Sequence, residues 1–169
     1  MASWREIEKT QAVLVRQLHD YWQSKRRGRD IPDRADIDPA EIKPLLPNIL
    51  ISEWSEPPFR IRYRLVGGRI TQVTGLDFTG RYLDELLPTD AENRWHDYYR
   101  EARDHRVPIL GAVVVPTVQG DRFRYEFGIF PLTLGGEAVR QFIAIEDYGG
   151  REPRTQQLED KVKPWRTKP

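Results

Sequence analysis

The sequence predicts an α+β domain: a five-stranded antiparallel sheet with short helices gathered on one face, preceded by an amphipathic N-terminal helix. Hydrophobic spacing of the helical kind gives way to strict alternation after Pro108. The alternating stretch is divided by two hairpin-type turns, Gln119-Gly120-Asp121 and Gly135-Gly136. Two further β-rich runs, 48–54 and 60–66, lie upstream of a group of short helical patterns. A chain of 169 residues with 38% hydrophobic and 11% aromatic residues suffices for one sizeable core.

The elements follow in order. Ser3-x-x-Glu6 has the form of a capping box, which predicts a helix start. Trp4, Ile7, Leu14, Leu18, Tyr21 and Trp22 then place one apolar stripe along a helix running to about Lys25, with Gly28 as its stop. Asp38-Pro39-x-Glu41 predicts a second, short helix confined by Pro44 and Pro47. In the strand 60–66, alternation assigns Ile61, Tyr63 and Leu65 to the core and Arg60, Arg62 and Arg64 to the outer face, paired with Glu126 or Glu146. Ile70 and Val73 make a helical turn or two ended by Gly75, and Leu83, Leu86 and Leu87 another short piece ended by Pro88. Thr89 or Asp90 caps a helix to about Arg106 whose face carries Trp95, Tyr98, Tyr99 and Ala102. The strands 109–118, 122–132 and 138–148 close the sheet. This divides the chain into an N-terminal helical extension, 1–47, a body, 48–148, and a polar basic tail, 149–169, read as mobile with a helix over 155–163.

Composition narrows the function. With no cysteine, the chain has no disulfide, no thiolate metal site, no cysteine nucleophile and no cysteinyl-flavin adduct. Its three histidines, His19, His96 and His105, lack metal-ligand spacing. A formal charge of +1 offers nucleic acid no strong attraction. No apolar run has the length of a membrane span, and no secretory leader is visible, so the expected location is the cytoplasm. Gly67-Gly68 lacks the spacing and the Lys-Ser/Thr of a phosphate loop, and no nucleophile with a nearby base stands out, so the expectation is a protein that is not an enzyme.

Taken with the order of elements, Leu65-Val66-Gly67-Gly68-Arg69-Ile70 and Leu76-Asp77-Phe78-Thr79-Gly80-Arg81 make residues 48–148 resemble a PAS domain. Together with Ile37-Asp38-Pro39 and Leu45-Leu46-Pro47, they resemble more narrowly the small stand-alone PAS proteins of alphaproteobacteria. The resemblance implies a sensory or regulatory module in bacterial signalling that binds a small ligand, a protein partner or both. The alternative on the same scaffold is a cofactor-dependent sensor, a small-molecule carrier or an enzyme. Some PAS domains hold haem through a histidine on the helix before the third strand, which makes His96 and His105 the candidate haem ligands, His96 at the boundary of core and solvent; with no haem the expectation is no cofactor.

The ligand-pocket candidates are Tyr63, Leu65, Val73, Trp95, Tyr99, Phe127, Ile129 and Ile143, which would converge between sheet and helices and offer phenol and indole handles if a void remains. The stripe Trp4, Ile7, Leu14, Leu18, Tyr21 and Trp22 is more apolar surface than a free monomer leaves in water, and predicts a homodimer or a signalling partner, with docking onto the chain's own sheet as the plain alternative.

Overall fold

The computed structural model describes residues 1–87, 89–116 and 122–150, and of residues 89–93 and 116 only the backbone. The expected turn at 119–121, the strand end at 117–118, the caps at Thr89 and Asp90 and the helix over 155–163 lie outside the described residues or side chains. One sheet organises the chain, from strands β1 (Ala2–Trp4), β2 (Ile49–Ser55), β3 (Arg60–Val66), β4 (Ile109–Pro116), β5 (Arg122–Thr133) and β6 (Val139–Asp147). They lie in the order β1-β4-β5-β6-β2-β3, every pairing antiparallel. The helices are α1 (Val13–Lys25), α2 (Gly68–Thr74) and α3 (Thr89–His105), with 3-10 turns at Ile7–Lys9, Arg34–Asp36, Lys43–Asn48 and Leu83–Glu85.

The sixth strand corrects the reading of the N-terminus. Ser3 and Trp4 do not open a helix; they pair with Gly111 and Leu110 along the flank of β4, which would otherwise be a bare sheet edge. Gly111 makes the approach possible, because a Cβ there would stand 2.4 Å from the carbonyl oxygen of Ala2. The Trp4 indole Nε1 donates to Thr10 Oγ1 at 2.9 Å, Ile7 sits on a 3-10 turn, and only Leu14, Leu18, Tyr21 and Trp22 of the stripe are on α1. Asp38 likewise starts no helix; its carboxylate accepts from the Ala40 amide in a turn, and the 3-10 helix begins at Lys43.

α1 covers the outer face of the sheet. Leu18 and Trp22 are almost fully buried there, the Trp22 ring lies 6.1 Å from that of Phe130, and its Nε1 donates to the Pro131 carbonyl at 2.9 Å. Burying each large apolar side chain contributes about 1.5–3 kcal/mol, so the apolar surface from which a homodimer follows is covered within the chain. α1 has no cap of its own. The Gln11 and Ala12 amides donate to Glu126 Oε2 at 2.8 and 2.9 Å, and the Leu14 amide to Asp147 Oδ2 at 2.9 Å. Glu126 and Asp147 face each other across β5 and β6, and two like charges so placed repel; the orphan donors and positive end of a helix offset that.

Helices α2 and α3 lie on the inner face, where Trp95 packs on Phe127 with ring centroids 4.6 Å apart and Tyr99 on Phe142 at 5.0 Å. One buried cluster runs through the whole fold: Leu18, Trp22, Ile31 and Leu45 of the N-terminal region belong to the same core as Phe127 and Phe142. Among the described residues no helix is long and apolar enough to cross a membrane.

Candidate functional site

Register decides which candidates meet. Phe127, Ile129 and Pro131 of β5 lie opposite Glu146, Ala144 and Phe142 of β6, and since Phe127 and Phe142 touch α3, that set faces inward. β2 continues the inner face with Leu50 and Ser52, paired to Ala144 and Phe142. Between β2 and β3 the register slips: Ile51 pairs with Leu65 but Ser52 with Tyr63, leaving Arg64 as an extra residue. The bulge turns Tyr63 inward, 7% exposed, and Leu65 outward, 46% exposed. Leu65 therefore lines no inner site, and the expected alternation of 60–66 holds only as far as Tyr63. Ile143 is also excluded, being buried on the opposite face beside Phe130.

The inner face gathers a group of polar side chains at the end of β6. Glu146 and Tyr125, both on the inner face by register, keep intermediate exposure. The Tyr148 hydroxyl donates to Glu146 Oε2, and the Tyr125 and Tyr148 rings are 5.1 Å apart with Phe123 beside them. Tyr63 and Tyr99 complete the group from β3 and α3. Burial pushes the Glu146 carboxyl up to about 7, and the bond from Tyr148 only partly opposes it. Burial likewise raises Tyr63, Tyr125 and Tyr148 well above the ordinary phenol range and takes Tyr99 to about 12, against polar interactions with Ser52 and Tyr63. Ser52 is fully buried beside Tyr99. Chemically this is a carboxyl that changes charge near neutrality, bonded by one phenol whose ring packs on a second.

A family model described as PAS domain matches residues 10–145. The chain belongs to the PAS domain family. The matched span of this PAS domain takes in α1, which docks on the sheet, and omits β1. No curated protein matches it. Among solved structures it is similar to the light-state structure of the blue-light photoreceptor Aureochrome1 LOV, at 16% identity over 66% of this chain and 88% of that one, with a TM-score of 0.46. An RNA-binding light-oxygen-voltage receptor is 19% identical over 77% of this chain but only 39% of its own length, with a TM-score of 0.49. A fungal LOV domain photoreceptor is 16% identical over 68% of this chain and 94% of that one, with a TM-score of 0.43. At these values none of them bears on a ligand here.

Of the sequence-derived candidates, Tyr63, Tyr99, Trp95, Phe127 and Ile129 share the inner face of the PAS sheet, and Val73 is buried on α2. His96 is not at the core boundary but buried at 5% exposure, its ring edge-on to Phe59 at 5.6 Å; His105 is exposed at the end of α3. The arginine row finds other partners than Glu126 and Glu146: Arg60 binds Asp84 and stacks on Tyr82 at 3.6 Å, Arg62 donates to the Gly80 carbonyl, and Arg64 lies 3.4 Å from Glu53. Sequence reasoning missed Glu146, Tyr125, Tyr148 and Ser52 as site residues. The available signal was β6 itself, whose unbroken apolar run Phe142–Ile145 marks a strand covered on both faces and ends in a carboxylate.

Proposed function

We propose that this PAS domain is a non-enzymatic sensory module of the kind found in small alphaproteobacterial proteins, acting in the cytoplasm and passing its signal on by binding a protein partner or a second copy. Its ligand site is placed on the inner face of the sheet around Tyr63, Tyr99, Tyr125, Tyr148 and Glu146. The observation that supports this reading best is the polar lining itself: the Glu146 carboxyl and the Tyr125 and Tyr148 phenols gather on the inner face, with Glu146 and Tyr125 still partly exposed. Native mass spectrometry of freshly purified protein tests it. A bound small molecule is expected on the wild type and absent from Ala144→Leu, which adds side-chain volume to the inner face between Leu50 and Ile129. Protein that carries no added mass, and whose melting temperature a metabolite panel leaves unchanged, would overturn it.

A further inference from the structure

Arg106, the residue that follows α3, has φ +58°, a left-handed conformation that costs energy in a residue with a Cβ. Such a conformation persists where the surroundings hold it. Here the guanidinium does so with three bonds: Nη2 donates to Asp30 Oδ1 at 3.0 Å, Nε donates to Asp30 Oδ2, and Nη1 donates to the Glu137 carbonyl at 2.7 Å. Asp30 lies in the connection that leaves α1, and Glu137 in the turn between β5 and β6. A two-pronged contact of guanidinium and carboxylate fixes orientation as well as distance. The chain between Asp30 and α1 is itself compact. The Arg29 amide donates to the Arg26 carbonyl at 2.9 Å, Arg26 Nε donates back to the Arg29 carbonyl at 2.9 Å, and the Arg26 guanidinium lies 5.8 Å from the Trp22 ring. A continuous path therefore leads from α3 on the inner face through Arg106, Asp30 and Arg26 to Trp22 on the outer face, round the end of the sheet and not through it.

From this geometry we propose that the contact of Arg106 with Asp30 and Glu137 is a latch that couples α3 to the last turn of α1. With the latch closed, a displacement of α3 on the inner face is passed to α1 on the outer face; with it open, each helix moves on its own. The pair is suited to opening, because the Arg106 and Asp30 side chains are 34% and 57% exposed and water can take the place of either partner. The latch goes beyond the ligand-binding reading and does not depend on it, since it joins the two helices whatever moves α3. A second ion pair to the same helix supplies the contrast. Arg5 donates through Nε and Nη2 to Glu101 Oε1 at 3.0 and 2.6 Å, but it lies on the stretch between β1 and the first 3-10 turn, at the opposite end of α1.

Amide hydrogen exchange of the full chain tests the proposal, in the wild type, Asp30→Asn, Arg106→Gly, the double variant and Arg5→Ala. The decisive readout crosses between elements. Asp30→Asn is expected to speed exchange in the last turn of α3, and Arg106→Gly in the last turn of α1, each about threefold or more. Arg106→Gly removes the guanidinium while relieving the left-handed backbone, so a loosened α1 in that variant reports the lost latch and not strain. The double variant should exchange no faster than the faster single one, because both changes remove the same contact. The first turn of α1, held by Glu126 and Asp147, should stay as in the wild type in every variant, and Arg5→Ala should leave the last turn of α1 unchanged. Variants that each affect their own element alone, additive effects in the double variant, an equal response to Arg5→Ala, or a rise spread evenly over the chain would each overturn it. If Arg106→Gly fails to fold, the response of α3 to Asp30→Asn against that to Arg5→Ala at the last turn of α1 still decides the matter.

Discussion

Replacing Glu146 by Gln should make the protein more stable at alkaline pH and remove a pH dependence that the wild type carries. The folded carboxyl titrates at about 7 against an ordinary value of 4.5. Because the folded form holds its proton more tightly than the unfolded chain, the wild type incurs no penalty below about pH 4.5, loses stability as pH rises toward 7, and stays at the reduced level above it. A shift of this size corresponds to about 3 kcal/mol in full, of which roughly 2 to 3 kcal/mol develops between pH 5 and pH 8. Urea unfolding of both proteins at pH 5, 6, 7 and 8 isolates the effect, since histidines and surface carboxylates contribute equally to both and cancel in the difference. The difference should move in favour of the Glu146→Gln variant by that amount as pH rises. A difference that stays flat with pH would mean the Glu146 carboxyl is solvated, and the electrostatic account of the inner face would be wrong.

Four further outcomes are expected. Gly111→Ala, whose Cβ would meet the Ala2 carbonyl oxygen at 2.4 Å and the Phe127 ring at 2.6 Å, should cost about 1–3 kcal/mol in urea unfolding and expose the β1 amides to hydrogen exchange. Trp22→Ala should cost about 3–5 kcal/mol, and deletion of residues 1–28 should leave a chain without a cooperative transition, because both strip the outer face of its cover; a folded product of that deletion in sedimentation would show that α1 is dispensable. Glu126→Ala should cost about 1–3 kcal/mol and raise amide exchange in the first turn of α1 while leaving that of α3 unchanged.

What can be read from the sequence is what depends on near neighbours. The strands β4, β5 and β6 and the helix α3 follow from periodicity and turn residues, and the inward placement of Tyr63, Tyr99 and Phe127 follows from strand and helix phase. Residues whose state is set by distant chain are misread by local rules. Ser3-x-x-Glu6 has the local form of a helix cap, but the flank of β4 more than 100 residues away takes the segment as a strand. α1 begins at a position with no capping side chain because its caps, Glu126 and Asp147, come from the sheet. Leu65 is misplaced by one bulged residue, Arg64, which alternation does not register. Glu146 ends a strand that is apolar on both sides, where no alternation remains to tell inside from outside.

The carboxylates that hold the start of α1 also define what can replace it. A surface offering Glu126 and Asp147 beside the buried rings of Phe130 and its neighbours accepts only an occupant with free backbone N–H groups at one end and an apolar stripe along its length. The α1 of another copy of this chain meets both requirements by identity. Reciprocal exchange of that helix would preserve every contact it makes and need no new surface patch, the strain falling on the connection after Lys25, where Arg27 and Gly28 already adopt positive φ. What the outer face demands of its cover is thus a pattern, free amides at one end and an apolar stripe along the length, and α1 supplies both.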